Sequence, residues 1–73
     1  MNRYEPVLGP NTKQWWAWDT ELDEYCDPPL KILEDIANFS DDINEQRDYF
    51  DKVLSEDPDW LYEEEYRYSE IEI

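Results

Sequence analysis

The chain has 73 residues, enough for one domain at most, and a chain of this size buries only about 60% of the surface its unfolded form exposes. It holds 21 acids against 6 bases, a net charge of −15 at pH 7. Size argues against a deep catalytic cleft, and charge argues against direct binding to nucleic acid or to an anionic membrane.

The composition still predicts a fold. Hydrophobic residues make up 40% of the chain and aromatics 16%, whereas disordered acidic tails lack aromatics. Solubility accounts for a net charge of roughly 2 to 8 in a small domain. The excess here points to a basic partner. The acids are also unevenly placed. Residues 1–18 hold Glu5 against Arg3 and Lys13, and the remaining 20 acids follow from Asp19 onward.

Met1 to Leu8 has no apolar run, so no secretory leader is expected. No apolar stretch is long enough to span a membrane. Gly9-Pro10-Asn11 marks a turn. The next segment has two readings. Trp15, Trp18, Leu22 and Tyr25 fit one helical stripe with Asn11 as its cap. Alternatively, Trp16, Trp18 and Tyr25 fit a hairpin with strands at about 14–18 and 24–27. Asp19 suits the start of its turn, and Asp23 tolerates the left-handed conformation that closes such loops. The hairpin is preferred, and it places Trp16, Trp18 and Tyr25 in the core.

Asp27-Pro28-Pro29 predicts a helix cap followed by first-turn prolines, with a helix over about 28–39. Leu30, Leu33, Ile36 and Ala37 form its apolar face. A second helix is expected over 42–55, capped by Asp42 with Glu45 at capping-box spacing. Ile43, Phe50, Val53 and Leu54 line its inner side, with the stem of Arg47 along the core edge. Asp41, Glu45, Asp48 and Lys52 line the outer side. Asp57-Pro58 repeats the cap signal and suggests a short helix to about Glu65. From Tyr66 to Ile73 the pattern alternates with period two, which predicts a terminal strand. The expected class is therefore a single α+β domain, with a small all-α bundle as the alternative.

Much chemistry is missing. There is no histidine, the usual general base and commonest metal ligand. One glycine cannot build a phosphate loop. Ser40, Ser55 and Ser69 have no basic partner in the sequence. Asp19, Glu21, Asp23 and Asp27 fall at positions 1, 3, 5 and 9 of an EF-hand-like loop, but Glu24 replaces its glycine and Leu30 its bidentate glutamate. No enzyme activity, cofactor or dedicated metal site is expected. The single cysteine, Cys26, forms no internal disulfide and suits a reducing cytosol. Glu24 and Asp27 beside it oppose thiolate formation, so it reads as a small buried hydrophobe.

What remains is carboxylates interleaved with large aromatics. Acids at i, i+4 and i+7 of a helix stand roughly 6 Å apart along one face. That spacing is of the same order as the phosphate repeat of a nucleic-acid strand. The expected binding face comprises Asp41, Asp42, Glu45, Asp48, Asp51, Glu56, Asp57, Asp59, Glu63, Glu64 and Glu65. Trp60 and Tyr62 are its expected aromatic anchors. In size, charge and aromatic content the chain resembles, at class level, the small acidic nucleic-acid mimics that bacteriophages make against restriction enzymes and CRISPR effectors. That resemblance implies an inhibitor, monomeric or a small homo-oligomer. It would work in the host cytosol and block the DNA- or RNA-binding groove of a basic protein. The alternative is an immunity protein, antitoxin or acidic chaperone that neutralises one basic partner.

Overall fold

A computed structural model describes residues 3–11 and 13–68. Its architecture is α+β, with one sheet and two helices. The strands are β1 (Tyr4–Leu8), β2 (Trp15–Asp19), β3 (Glu24–Cys26) and β4 (Arg67–Tyr68), all antiparallel and in sheet order β1-β2-β3-β4. The helices are α1 (Leu30–Phe39) and α2 (Ile43–Ser55), and 3-10 turns follow at Asp59–Tyr62 and Glu64–Tyr66.

The Trp-rich hairpin is present as β2 and β3. Asp23 takes a left-handed φ of 54° at its turn. The Asp19 carboxylate accepts from the backbone amides of Glu21 and Leu22 at 3.0 and 3.2 Å. β1 carries no local strand signal, because its Pro6 argues against a strand. Gly9 N donates to Gln14 O and Thr20 N to Arg3 O, so odd-numbered residues of β1 bond to β2. Pro6 therefore turns its missing donor to the free edge, where a proline costs no ladder bond and discourages further strand pairing.

Alternation splits the residues of β2 between two faces. Trp15, Ala17 and Asp19 face the helices, together with Tyr4 and Cys26. The core is Tyr4, Trp15, Ala17, Cys26, Ile36, Phe50, Leu54, Trp60 and Leu61. Trp16 is buried on the opposite face, and Trp18 and Tyr25 there are only half-buried. Trp15, not Trp16 or Trp18, is thus the strand's core tryptophan.

The first helix starts later than expected. Asp27 and Pro28 each precede a proline, which excludes them from helical backbone. Pro29 is the N-cap, without a side-chain cap bond, and Leu30 opens the helix. The Asp27 carboxylate instead accepts from Gln14 at 2.7 Å. In α1 only Ile36 is fully buried, whereas Leu30 and Ala37 are exposed. Asp42 caps α2 as expected, accepting from Asn44 N and Glu45 N at 2.8 and 3.2 Å. The capping box is indirect. Asp42 N donates to the Ser40 hydroxyl at 3.0 Å, and that hydroxyl donates to Glu45. Phe50 and Leu54 are buried, but Ile43 is exposed, not a core residue. The Arg47 guanidinium carbon lies 6.0 Å from the Trp15 ring centroid.

The expected short helix after Pro58 is resolved into the two 3-10 turns. In such turns residues i and i+3 eclipse, so Asp59 and Tyr62 share an outer side. Trp60 and Leu61 point inward and are buried. Of the strand expected from Tyr66 to Ile73, Tyr66 instead closes the second 3-10 turn, Arg67–Tyr68 form β4, and residues 69–73 lie outside the described residues.

Candidate functional site

The second helix presents its acids outward because its inner arc is taken by Phe50, Leu54 and half-buried Val53 and Gln46. Gln46 is polar but fixed. Its amide donates to Ser40 O at 2.6 Å and accepts from Trp15 Nε1 at 3.1 Å. Opposite this arc stand Glu45, Asp48 and Lys52. Each expected acid, Asp41, Asp42, Glu45, Asp48, Asp51, Glu56, Asp57, Asp59, Glu63, Glu64 and Glu65, is exposed.

These acids are not equally available. Asp42 and Glu45 serve the α2 cap. Asp57 accepts from the Tyr62 hydroxyl, which holds the phenol in its protonated form and raises its pKa. Tyr62 is exposed, as expected of an anchor, but Trp60 is not. Its ring lies in the core, edge-on to Tyr66 at 6.3 Å, and so it is removed from the candidate face.

Sequence reasoning missed a buried ionic cluster on the core face of the sheet. Asp19 is fully buried. Arg3 grips it with Nε and Nη2, each at 3.0 Å from one carboxylate oxygen. Arg67 Nη1 adds a contact at 2.9 Å and reaches Glu24 at 3.2 Å, while its Nη2 donates to the Tyr4 hydroxyl at 3.2 Å. Burial alone would raise the Asp19 pKa, but bonds from Arg3, Arg67, Leu22 N and Glu21 N hold it at about 2. This cluster engages two of the six bases with three acids, Asp19, Glu21 and Glu24, so the rest of the chain keeps a net charge of −14.

The EF-hand-like spacing has no counterpart in space. Asp19 is engaged by arginines and Asp27 by Gln14. Among the described residues no group of histidine, cysteine or carboxylate side chains is arranged to hold a metal ion. Cys26 is buried, and burial raises its thiol pKa, with Asp19 and Glu24 adding to the effect against Arg67.

Two further surfaces lie outside the acidic face. A cleft of about 300 Å³ is lined by Leu8, Trp15, Leu33, Ala37 and Ile43, with Lys13 and Gln46 also on its wall. On the outer sheet face, the rings of Trp18 and Tyr25 sit 4.6 Å apart at a tilt of 56°. Among the described residues no helix is long and apolar enough to cross a membrane. No family model, curated protein or solved structure matches the chain.

Proposed function

We propose that this chain is an acidic nucleic-acid mimic that occupies the DNA- or RNA-binding groove of a basic protein and so inhibits it. One quantity carries this reading. The chain has a net charge of −15, and its longest axis spans 30 Å. A duplex carries one negative charge per 1.7 Å of axis, or roughly 18 over the same length. A groove built for that duplex therefore meets a similar charge over a similar span. The exposed acids on α2 and the turns after it form the main face, with Tyr62 beside them. Folding fixes the backbone that carries these carboxylates, so binding has to order only their exposed side chains. No catalytic step is proposed. The source and compartment proposed are a phage-encoded protein in the host cytosol, in keeping with its class resemblance.

A second reading is favoured by the apolar cleft, since duplex nucleic acid offers no counterpart to it. In that reading the chain is an immunity- or antitoxin-type binder of one basic protein. Competition separates the two. The immobilised chain is loaded with proteins from a cell lysate and then washed with unrelated duplex or single-stranded nucleic acid. A mimic releases nucleic-acid-binding proteins into the wash. Retention of one protein through that wash sinks the mimic reading and supports the second.

A further inference from the structure

Glu5, Trp18 and Tyr25 form one row across three strands. The register pairs Glu5 with Trp18 and Trp18 with Tyr25. Directly opposed residues of antiparallel strands point to the same side, with Cβ atoms about 4.5–5.5 Å apart. The side in question is away from the core, because Tyr4, Ala17 and Cys26 alternate with these residues and face the helices. Glu5 is exposed, while Trp18 and Tyr25 are each half-buried. Asp27 lies on the same side, two residues beyond Tyr25, and its carboxylate accepts from the neutral amide of Gln14.

Of the chain's cations, Arg3 and Arg67 are engaged by Asp19. Arg3 lies 5.1 Å from the Tyr4 centroid and Arg47 lies 6.0 Å from that of Trp15. Among the described residues none stands over Trp18 or Tyr25. An electron-rich ring face beside a carboxylate attracts a cation and disfavours an anion. A planar guanidinium suits the row better than an ammonium, since it stacks on a ring while donating two parallel bonds to a carboxylate.

We propose that the Glu5–Trp18–Tyr25 row receives an arginine side chain of the basic partner. The inference rests on the partner being basic, and it adds a recognition point that phosphate mimicry does not supply. A nucleic acid offers a groove arginine its phosphates or base edges. This row offers a carboxylate and two rings.

Tri-arginine is the probe, titrated into isotopically labelled protein at about 150 mM salt, where long-range attraction is largely screened. The Trp18 indole and the Glu5 and Tyr25 amides should shift and saturate together. Trp18→Leu and Glu5→Gln should each weaken binding about two- to fivefold. Tri-lysine should bind less tightly, and uncharged tri-citrulline should leave the row unshifted. Equal binding of tri-citrulline, unchanged affinity in folded Trp18→Leu, or shifts confined to α2 each overturn the proposal. So does self-association of the free protein through this row. If Trp18→Leu does not fold, Tyr25→Leu and the wild-type indole shift decide. The peptide test needs no groove. Failure of the nucleic-acid competition with this site intact removes the mimic reading alone, and the reverse outcome removes the arginine site alone.

Discussion

Arg67 donates to Oδ2 of the buried Asp19 carboxylate across 48 positions of sequence, and Arg3 donates to both oxygens of the same carboxylate from 16 positions away. Asp19 therefore joins β1, the β2–β3 turn and β4 through one side chain. Asp19→Asn would leave two guanidinium groups facing an amide. Breaking a buried pair by removing one partner costs about 3–5 kcal/mol, a large part of the total stability of a small domain. Urea unfolding should show that loss. A cost below about 1 kcal/mol would mean that the cluster is only incidental to the fold.

The same contacts set an acid limit. Asp19 titrates at about 2 in the folded chain, against roughly 3.9 when unfolded. A depressed folded pKa adds stability above the unfolded value and loses it as pH falls toward the folded one. The contribution is about 2.6 kcal/mol, lost mainly between roughly pH 4 and pH 2. Self-repulsion acts in the opposite direction, because mild acid begins to neutralise solvated carboxylates. Melting temperature should thus rise from pH 7 toward about pH 4.5 and then fall below pH 4. In Asp19→Asn the fall below pH 4 should be much smaller. An equal acid loss in both proteins would assign that loss to other groups.

Local signals in the sequence were strong for the hairpin turn at Asp19 and Asp23 and for the Asp42 cap, because each depends on residues a few positions apart. Period and spacing also placed Phe50, Leu54 and Ile36 inside. The failures share a cause. That β1 is a strand depends on Pro6 facing a free edge, which only the assembled sheet defines. The expectation of Trp60 outside rests on twelve aromatics being many for so small a core, whereas its burial against Tyr66 depends on how the segment after α2 returns to the sheet. The Asp19 cluster joins residues 3, 19 and 67, and no short-range pattern encodes that. The acidic face was legible because exposure of carboxylates is the default outcome and needs no tertiary partner.

Gln46 tests how polar groups organise this small core. Its side chain satisfies both the buried Trp15 indole and the Ser40 carbonyl. Gln46→Ala leaves the indole donor unpaired and should cost about 1–3 kcal/mol. The Trp15 emission spectrum should shift as its hydrogen bond is lost. A neutral substitution would show that water replaces the amide at the cleft wall, which Gln46 lines.

Salt should move folding and binding in opposite directions. Screening reduces repulsion among the exposed acids, so thermal stability should rise between about 50 and 500 mM salt. Affinity for the basic partner should fall at least about tenfold over that range, since its cations lose attraction and their counterions are no longer released as favourably. A flat affinity profile would sink the electrostatic mechanism and favour docking through the apolar cleft.

Charge reversal decides which acids matter. Glu45 is best left in place, because it accepts from Ser40 at the N-terminal end of α2, where an acid is also favoured by the helix dipole. Asp41, Asp48 and Asp51 are exposed and hold no such post. Asp41→Lys, Asp48→Lys and Asp51→Lys together change the net charge from −15 to −9. Each exposed change should alter stability by no more than about 0.5 kcal/mol, and relief of repulsion should offset part of that. Binding should collapse, since attractive contacts become repulsive ones. Overall charge is controlled by matched pairs: Asp48→Lys with Asp51→Lys, against Glu34→Lys with Asp35→Lys on α1. Both pairs shift the net charge equally, yet only the first touches the outer face of α2. Equal losses would mean that the partner responds to total charge. A larger loss from the α2 pair, with circular dichroism unchanged, would locate the binding face on that helix.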